Sequence, residues 1–503
     1  MRKFETAMEN PYNQVPYQSA PFPQAHVSRL ATMATLLGVE PPNISSCRVL
    51  ELGCGEGAHL IPMALEFPES QFVGIDLAER PIAKAIDNAA ELGLENISFR
   101  VADVLQLSGQ PGECDYLIAH GLYSWVPEAV QEKALELCGR LLSRSGVGYV
   151  SYNAYPAWHV REMTRNMVRM HTAGLSDPVE IRNRAISLLA GIYRSQSEQE
   201  PYREAIRAEM ERIIAKDAYL CFHDDFGEDN HPVYFSEFIR RAAAQGLQFL
   251  AEAEPPDMQH PDIAPDVREA LAAINDAVER EQYYDFVTCR GFRRTLLCHD
   301  DLVLDRTIPV ERLKNLYFAA AVKCSIPVPD LVTFSPAEFV AQSGASITVT
   351  QPFVKVVLFE VSRAYPGSLT FDYLLERARS VAPLLSTADG ETMLREVLLR
   401  MHLPGIMEMS VVPYRYPAQP AERPVASRLA KMQLKNGGRT TSLRHRTVDI
   451  DDELARSLFA LLDGTRDPEA LRDAAEKVLG RDVSIDEITS GLERLNELAL
   501  LEA

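Results

Sequence analysis

The chain has 503 residues, a formal net charge of −20 and a pI of about 5.1. Its 46% hydrophobic and 24% charged residues are typical of a globular protein and exclude a disordered chain. Proteins that wrap nucleic acid need a basic face to displace counterions, so the acidic balance argues against nucleic acid as a partner.

Further features of the sequence indicate where the protein works. No apolar run approaches the ~20 residues that a membrane span needs, and residues 1–14 lack the apolar core of a signal peptide. The eight cysteines show neither a C-x-x-C pair nor the spacing of a metal site. We therefore expect a cytoplasmic protein with reduced thiols, no membrane span and no metal.

A stretch rich in proline and aromatic residues, 12–26, precedes the first regular elements. It is too polar for a core element, and it forms either a flap over a binding site or a surface arm. Tyr17 of this arm is a candidate for contact with a cofactor. A helix is expected over residues 27–37, with Gly38 at its end.

Residues 49–57 organise the rest of the chain. An apolar run predicts a short buried strand, and Gly53, Gly55 and Gly57 follow it before a helical segment. Strand, glycine turn and helix form the first unit of a doubly wound α/β fold, in which ligands bind at the carboxyl ends of the strands. The E-x-G-x-G-x-G form, which starts at Glu51, resembles the first motif of the class I methyltransferases that use S-adenosylmethionine.

The glycines alone leave two other interpretations open. Gly53, Gly55 and Ala58 also satisfy the G-x-G-x-x-G/A pattern of nicotinamide and flavin enzymes, and a tight turn can form with no ligand at all.

Acidic residues at the ends of the next two predicted strands favour the methyltransferase interpretation. Asp76 ends the strand at residues 71–76, and Asp103 follows the third strand. The first of these acids can hold ribose hydroxyls or can cap a helix, and the second suits an adenine amino group. The dinucleotide-binding pattern does not require Asp103, the acid after the third strand. Leu77 and Val104, which come next in the chain, are expected to line the same cofactor.

Aromatic residues follow the fourth and fifth predicted strands, residues 114–119 and 148–153. Both tryptophans of the chain are among them, just past the carboxyl end of a strand. Aromatic residues with a few polar groups line typical small-molecule sites, so we expect an acceptor pocket, with ordinary core packing as the alternative. The candidates for catalysis and acceptor binding are Tyr123, Trp125, Tyr155, Trp158 and His159, and His120 is expected to meet the methionyl or acceptor side of the cofactor.

The predicted fold class is α/β, a Rossmann-like doubly wound sheet followed by helical and winged-helix-like modules. Residues 220–231 are predicted to form a polar loop. The expected units are an S-adenosylmethionine-binding domain with its N-terminal arm at 1–160, a helical regulatory domain at 161–305, a winged-helix-like domain at 306–416, a linker at 417–446 and a small helical domain at 447–503. All cofactor motifs precede residue 153, so residues beyond about 308 are expected to be dispensable for cofactor binding.

Four stretches together resemble one narrower family. They are residues 16–26, 120–127, 151–159 and 292–299. The family is that of bacterial methyltransferases with a methyltransferase regulatory domain, and it is similar to the rickettsial lysine methyltransferases that modify outer-membrane protein. The resemblance implies S-adenosylmethionine as cofactor and N-methylation of a protein lysine, with an outer-membrane or surface protein as a possible partner. A small-molecule acceptor, a non-catalytic cofactor-binding regulator and a homodimer stay open.

Each strand-end residue has an expected role in a methyltransferase. The three glycines shape the floor under the methionine end, and Glu51 orients its ammonium. Asp76 holds the ribose hydroxyls and Asp103 the adenine edge. A lysine acceptor must lose a proton from a group with a pKa near 10.4, and desolvation among aromatic residues favours the neutral amine. Tyr155 or His159 is expected to relay that proton through water.

Overall fold

A seven-stranded sheet lies at the centre of the N-terminal half of the protein. In the computed structural model its strands are β1 (Arg48–Leu52), β2 (Gln71–Asp76), β3 (Ile97–Val101), β4 (Cys114–Ala119), β5 (Leu142–Asn153), β6 (Leu247–Glu252) and β7 (Phe292–His299). Their order is β3-β2-β1-β4-β5-β7-β6, with β1 to β5 parallel and β7 antiparallel to both neighbours. This is the Rossmann-like α/β sheet that the sequence predicts.

The structure describes residues 11–502 except positions 16, 18, 108–111, 199, 260–262, 342–343, 345, 384 and 438. Residues 1–10, and Pro16 and Gln18 of the predicted arm, therefore lie outside the described residues. Within the described part of the chain, no helix combines the length and the apolar character needed to cross a bilayer.

Helices cover both faces of this sheet, and parallel strands that are buried on both faces are apolar along their length. Every residue of β4 is buried, for example. The helices up to β5 are α1 (Pro11–Gln14), α2 (Val27–Leu36), α3 (Leu60–Glu66), α4 (Glu79–Glu91) and α5 (Glu128–Leu141). The predicted helices and strands before residue 154 are confirmed, although β5 begins at Leu142 rather than at residue 148.

In the part of residues 157–299 that the structure describes, the next segment supplies seven helices and the last two strands of the sheet. Its helices are α6 (Ala157–His171), α7 (Pro178–Ser195), α8 (Pro201–Ala215), α9 (Ala218–Asp224), α10 (Phe235–Ala243), α11 (Pro265–Ala272) and α12 (Ala277–Thr288). Because β6 and β7 complete the central sheet, the predicted boundary at residue 160 does not separate two domains. The predicted polar loop at 220–231 is wrong at its start, because Asp217 caps α9 and the helix runs to Asp224.

Residues 306–416 form a unit with two small sheets. Its elements are α13 (Val310–Leu313), β8 (Tyr317–Ala319), β9 (Val322–Cys324), β10 (Ala337–Ala341), β11 (Ser346–Val349), α14 (Pro352–Ala364), β12 (Leu369–Thr370), α15 (Phe371–Arg379), α16 (Thr387–His402) and β13 (Glu408–Ser410). The sheets have the orders β11-β10-β9 and β12-β8-β13.

The C-terminal unit begins earlier than the sequence suggests. Its elements are α17 (Arg428–Lys435), β14 (Thr440–Thr441), β15 (Thr447–Val448), α18 (Glu453–Leu461), α19 (Pro468–Leu479) and α20 (Ile485–Glu497). The predicted linker at 417–446 is therefore wrong, because α17 and β14 lie inside it and Ala430 is buried in the C-terminal core beside Leu458. Ser484 and Glu487 form a capping box at the start of α20.

A single hydrophobic core joins the central sheet to the later units. It contains Val49 of β1 together with Phe318, Phe353 and Met432. Removing the chain beyond residue 308 would expose the faces that these side chains cover. The expected independence of cofactor binding from the later units therefore has no support in the packing.

Candidate functional site

A cleft of about 1350 Å³ opens at the carboxyl ends of β1 to β4, where a doubly wound sheet presents its ligand. The predicted site residues that line it are Tyr17, Glu51, Gly53, Gly55, Asp76, Leu77, Asp103, Val104, His120 and Trp125. The predicted site residues that do not line it are Gly57, Tyr123, Tyr155, Trp158 and His159. The cleft thus gathers the predicted cofactor residues but little of the predicted acceptor pocket.

The glycine turn after β1 forms one wall of the cleft. Gly53, Gly55 and Gly57 have φ values of 75°, 52° and 73°, in the left-handed region that a side chain disfavours. A Cβ on Gly57 would also lie 2.5 Å from Cζ of Phe99. Gly57 therefore supports the turn from behind, whereas Gly53 and Gly55 present bare backbone to the cleft.

Asp76 fixes this turn from the end of β2. Its Oδ2 accepts a hydrogen bond from the Gly55 amide (2.9 Å), and its Oδ1 accepts one from the Ala78 amide (2.8 Å). Ala78 is the N-cap of α4, so Asp76 is not itself the helix cap. Burial raises the pKa of Asp76, and the two amide bonds act against that rise. Each carboxylate oxygen keeps a lone pair with which it can accept a ligand hydroxyl.

Glu51 is a buried acidic residue whose surroundings favour a bound cation. Its residue is 3% exposed, and its Oε2 has no hydrogen-bond partner among the described residues. Burial, and secondly the charge of Asp76, raise the pKa of Glu51 to about 8. A buried charge is costly unless it is paired. A ligand ammonium would supply the missing partner.

Asp103 and His120 line the cleft beyond β3 and β4. Oδ1 of Asp103 accepts the Leu105 amide at 2.9 Å and caps a short 3₁₀ turn. His120 pairs through Nδ1 with the Tyr149 hydroxyl at 2.8 Å and stacks on Phe22 with ring centroids 3.6 Å apart. Burial lowers the pKa of His120 to about 3, so its imidazole is neutral.

The described part of the N-terminal arm lies over the cleft as a flap. The Tyr17 hydroxyl donates to Asp224 of α9 at 3.2 Å, and His223 Nε2 pairs with the Val15 carbonyl at 3.0 Å. On the other side, the Arg80 guanidinium donates to the Asn13 carbonyl at 2.7 Å. These bonds join the arm to α9 and to α4 and so place it across the opening.

The predicted acceptor pocket is not assembled. Trp125 lines the cleft and meets Trp158 edge to face at 6.1 Å, but Trp158 is buried and donates its indole N–H to the Gly291 carbonyl at 2.9 Å. Tyr123 is fully buried and packs edge to face on Phe238.

Tyr155 and His159 lie in a separate cluster outside the cleft. The two rings stack at 4.0 Å, the Tyr155 hydroxyl donates to Glu162 at 3.0 Å, and His159 pairs with the Tyr234 hydroxyl at 2.9 Å. The carboxyl end of β5 runs past the cleft into α6, and this path carries both side chains away from it. The expected proton relay through Tyr155 or His159 is not supported by this placement.

A different set of aromatic and acidic residues lines the cleft. It comprises Tyr12, Tyr17, Phe22, Phe222, Phe226, Asp224, Glu228 and Asp229. They come from the arm and from the region of α9, two segments that are far apart in the chain. The sequence signal that could have indicated them is the clustering of aromatic residues at 12–22 and 219–226.

These features fit an adenosyl amino acid bound along the strand ends. The bare glycine turn admits close approach of a ligand. Oε2 of Glu51, which has no partner among the described residues, suits an ammonium, and Asp76 and Asp103 keep acceptor capacity for hydroxyl and amino groups. A cation next to Glu51 would favour its ionised form and would give Oε2 the partner that it lacks among the described residues.

Three family descriptions match the chain. "Methyltransferase domain" matches residues 43–207, "Predicted methyltransferase regulatory domain" matches 216–299, and "PKMT, C-terminal winged helix domain" matches 422–496. The last match corrects the predicted architecture, because the winged helix of this family lies in the C-terminal unit and spans most of the residues assigned to a linker and a small helical domain.

Rickettsial proteins are similar to this chain, two of them along most of its length. An uncharacterised protein of Rickettsia prowazekii is 30% identical over 480 residues, which cover 93% of this chain and 86% of the relative. A second uncharacterised protein of that organism is 31% identical over 240 residues, 48% of this chain and 96% of the relative. The crystallised PKMT2 from Rickettsia typhi in complex with AdoHcy has a TM-score of 0.88 at 26% identity and covers 97% of this chain and 100% of its own.

Proposed function

The chain belongs to the family of class I S-adenosylmethionine-dependent methyltransferases that these rickettsial proteins represent, and we propose that its acceptor is the side-chain amine of a protein lysine. S-adenosylmethionine is its cofactor. The resemblance to a PKMT, a protein lysine methyltransferase, supports the acceptor class. The structural observation that carries the proposal is the wall of aromatic and acidic residues that the arm and the region of α9 contribute to the cleft.

Charge on this wall suits a basic acceptor. Asp224, Glu228 and Asp229 line the cleft on the side of α9. Carboxylates on this face attract a lysine ammonium, which raises its local concentration. Neutral or acidic small molecules would gain nothing from such a rim.

The aromatic part of the wall suits binding and deprotonation of the lysine amine. Tyr17, Phe222 and Phe226 flank the acids. Aromatic faces attract an ammonium and also accept methylated amines. Their bulk excludes water from the amine, and desolvation favours its neutral, nucleophilic form.

Asp224 is the residue that we propose as proton acceptor. Its Oδ1 accepts the Tyr17 hydroxyl, and its Oδ2 lies 3.5 Å from Nζ of Lys216. Burial raises the pKa of Asp224, so this carboxylate holds a proton more readily than an ordinary Asp. The cofactor, when bound, supplies an activated methyl group on a sulfonium. The cleft residues then mainly align the amine with it, because alignment alone can remove a large part of the barrier.

Radiolabelled S-adenosylmethionine added to the full-length protein and a cell lysate tests the proposal. We expect label in the protein fraction and methyl groups on lysine by mass spectrometry. Asp224→Asn keeps the size of the side chain and an acceptor oxygen for Tyr17. This variant should lower transfer to protein at least about tenfold while the Kd for S-adenosylhomocysteine changes less than about twofold.

Glu211→Gln is the matched control, because Glu211 is an exposed acid on α8 that pairs with Arg207. It removes the same charge and should leave transfer unchanged. Label confined to the low-molecular-weight fraction would refute a protein acceptor. Methylated arginine or glutamine instead of lysine would refute lysine as the acceptor residue but would still support a protein as the acceptor.

A further inference from the structure

The turn between β14 and β15 brings part of the winged-helix domain to the edge of the cofactor cleft. It carries Arg444 and His445, which are 5% and 4% exposed. The tip of a hairpin normally lies in solvent. Burial of two polar residues at this tip indicates that the turn is a contact between domains rather than a surface loop.

Arg444 fixes the turn to the unit at residues 306–416. Its guanidinium forms an ion pair with Glu408, donates to the Pro366 carbonyl at 2.7 Å, and lies over the Tyr414 ring at 3.8 Å from the centroid. The ion pair, the hydrogen bond and the contact with the ring together fix the position of the turn.

His445 points from this fixed turn into the methyltransferase domain. Its Nε2 lies 2.7 Å from Nδ1 of His59, and the two rings meet edge to face at 4.8 Å. His445 has a φ of 56°, in the left-handed region that disfavours residues other than Gly, Asn and Asp. The contact therefore persists at a cost in backbone conformation.

His59 connects His445 to residues of the cleft. The Phe22 amide donates to its Nδ1 at 3.2 Å, and its Nε2 lies 3.4 Å from the Ala25 carbonyl. His59 and Phe22 both line the cleft, and Phe22 stacks on His120. An unbroken series of contacts thus runs from the winged-helix domain to the base of the flap.

Burial lowers the pKa of His59 and of His445 well below the ordinary range. Both rings are therefore neutral near pH 7. Neutral rings suit these contacts: with its proton on Nε2, which faces the Ala25 carbonyl, His59 offers the single lone pair of Nδ1 to the Phe22 amide and to an Nε2–H of His445.

We propose that His445 is a positioning residue for cofactor binding, which acts through His59 to hold the start of the flap at Phe22. The winged-helix domain then contributes to the cofactor site without touching the cofactor. This role is separate from the identity of the acceptor, so it stands or fails independently of the lysine proposal.

Calorimetry of the full-length protein with S-adenosylhomocysteine, together with steady-state kinetics, tests the proposal. His445→Ala should raise the Kd, and the KM for S-adenosylmethionine, about tenfold, while kcat at saturating cofactor changes less than about twofold. His445→Asn tolerates the left-handed backbone but is too short to reach His59. It should melt near the native temperature and still bind as weakly as the Ala variant. His445→Gln, which can reach Nδ1, should recover part of the affinity.

A double-mutant cycle with His59→Ala separates positioning from general stability. In the His59→Ala background, His445→Ala should change the Kd less than about twofold. Arg439→Gln is the control in the same hairpin, because Arg439 forms an exposed pair with Asp449, and it should bind as the native chain does. A native Kd in a folded His445→Asn variant, or full additivity in the cycle, would overturn the proposal.

Discussion

Glu51→Gln separates the effect of Glu51 on cofactor binding from its effect on the stability of the protein. The carboxylate is buried, one of its oxygens has no partner among the described residues, and burial raises its pKa to about 8. The protein therefore folds at pH 7 with Glu51 protonated, although the same residue is ionised in the unfolded chain. We expect the Gln variant to be more stable without cofactor and weaker in binding it.

The magnitude follows from the two pKa values. An unfolded pKa of 4.5 and a folded pKa of about 8 mean that the folded state is penalised progressively as the pH rises from 4.5 to 8. At pH 7 the penalty is about 3 kcal/mol, at 1.36 kcal/mol for each pH unit. Gln lacks this titration but still buries an amide that needs partners. We therefore expect a gain of about 1–2 kcal/mol without cofactor, since an unmade hydrogen bond retains part of the cost.

Binding should respond in the opposite direction. A ligand ammonium pairs with ionised Glu51, so binding at pH 7 must release a proton, and the affinity of the native chain should rise as the pH increases from 6 to 8. The Gln variant loses a charge-assisted hydrogen bond worth roughly 1.5–3 kcal/mol, and its Kd should rise at least about tenfold. That Kd should also be nearly independent of pH over this range.

Calorimetry with S-adenosylhomocysteine in two buffers of different ionisation enthalpy measures the released proton, and thermal melts at pH 6, 7 and 8 measure stability. Equal binding heats in both buffers for the native chain would contradict the raised pKa. A Gln variant that melts lower than the native chain at pH 8 would contradict the claim that this carboxylate destabilises the cofactor-free protein.

Three further predictions concern the cleft and its support. Asp76→Ala should raise the Kd for S-adenosylhomocysteine more than Asp76→Asn does, because only Asn keeps an oxygen for the Gly55 amide, and unchanged binding of the Ala variant by calorimetry would exclude Asp76 from the site. A truncation after residue 305 should be insoluble or lack a cooperative melt, because it divides a shared core, and a soluble fragment that binds cofactor normally would contradict this. Trp125→Ala should lower methyl transfer to protein at least about fivefold in the radiolabel assay, whereas Tyr155→Phe, which alters a hydroxyl outside the cleft, should leave it unchanged.

The part of the site that the sequence predicts best is the part whose geometry is local. Glu51, Asp76 and Asp103 lie at or just after the ends of three parallel strands, and parallel strands end at the same edge of a sheet, so their proximity follows from the strand assignments alone. The alternation of short apolar runs and helical segments was sufficient for those assignments.

The acceptor side could not be predicted in the same way. Trp158 follows a strand end as Trp125 does, but the chain turns into α6, and the indole donates to a carbonyl beside β7 instead of facing the cleft. The carbonyl that accepts this hydrogen bond, that of Gly291, lies more than 130 residues further along the chain. No periodicity in the sequence specifies such a contact. The boundary at residue 160 failed for the same reason, because β6 and β7 return to the sheet after a long helical insertion.

The contacts around the cleft show how one site depends on most of the chain. The strands supply the acids and the glycine turn, the arm supplies Tyr17, and α9 supplies Asp224 as its anchor. From the C-terminal side, His445 reaches His59 across 386 residues of sequence. Each of these segments lines the cleft or contacts a residue that lines it, so loss of any one would leave its neighbours without a packing partner. The boundaries that divide this chain by composition therefore do not mark units that could bind the cofactor separately.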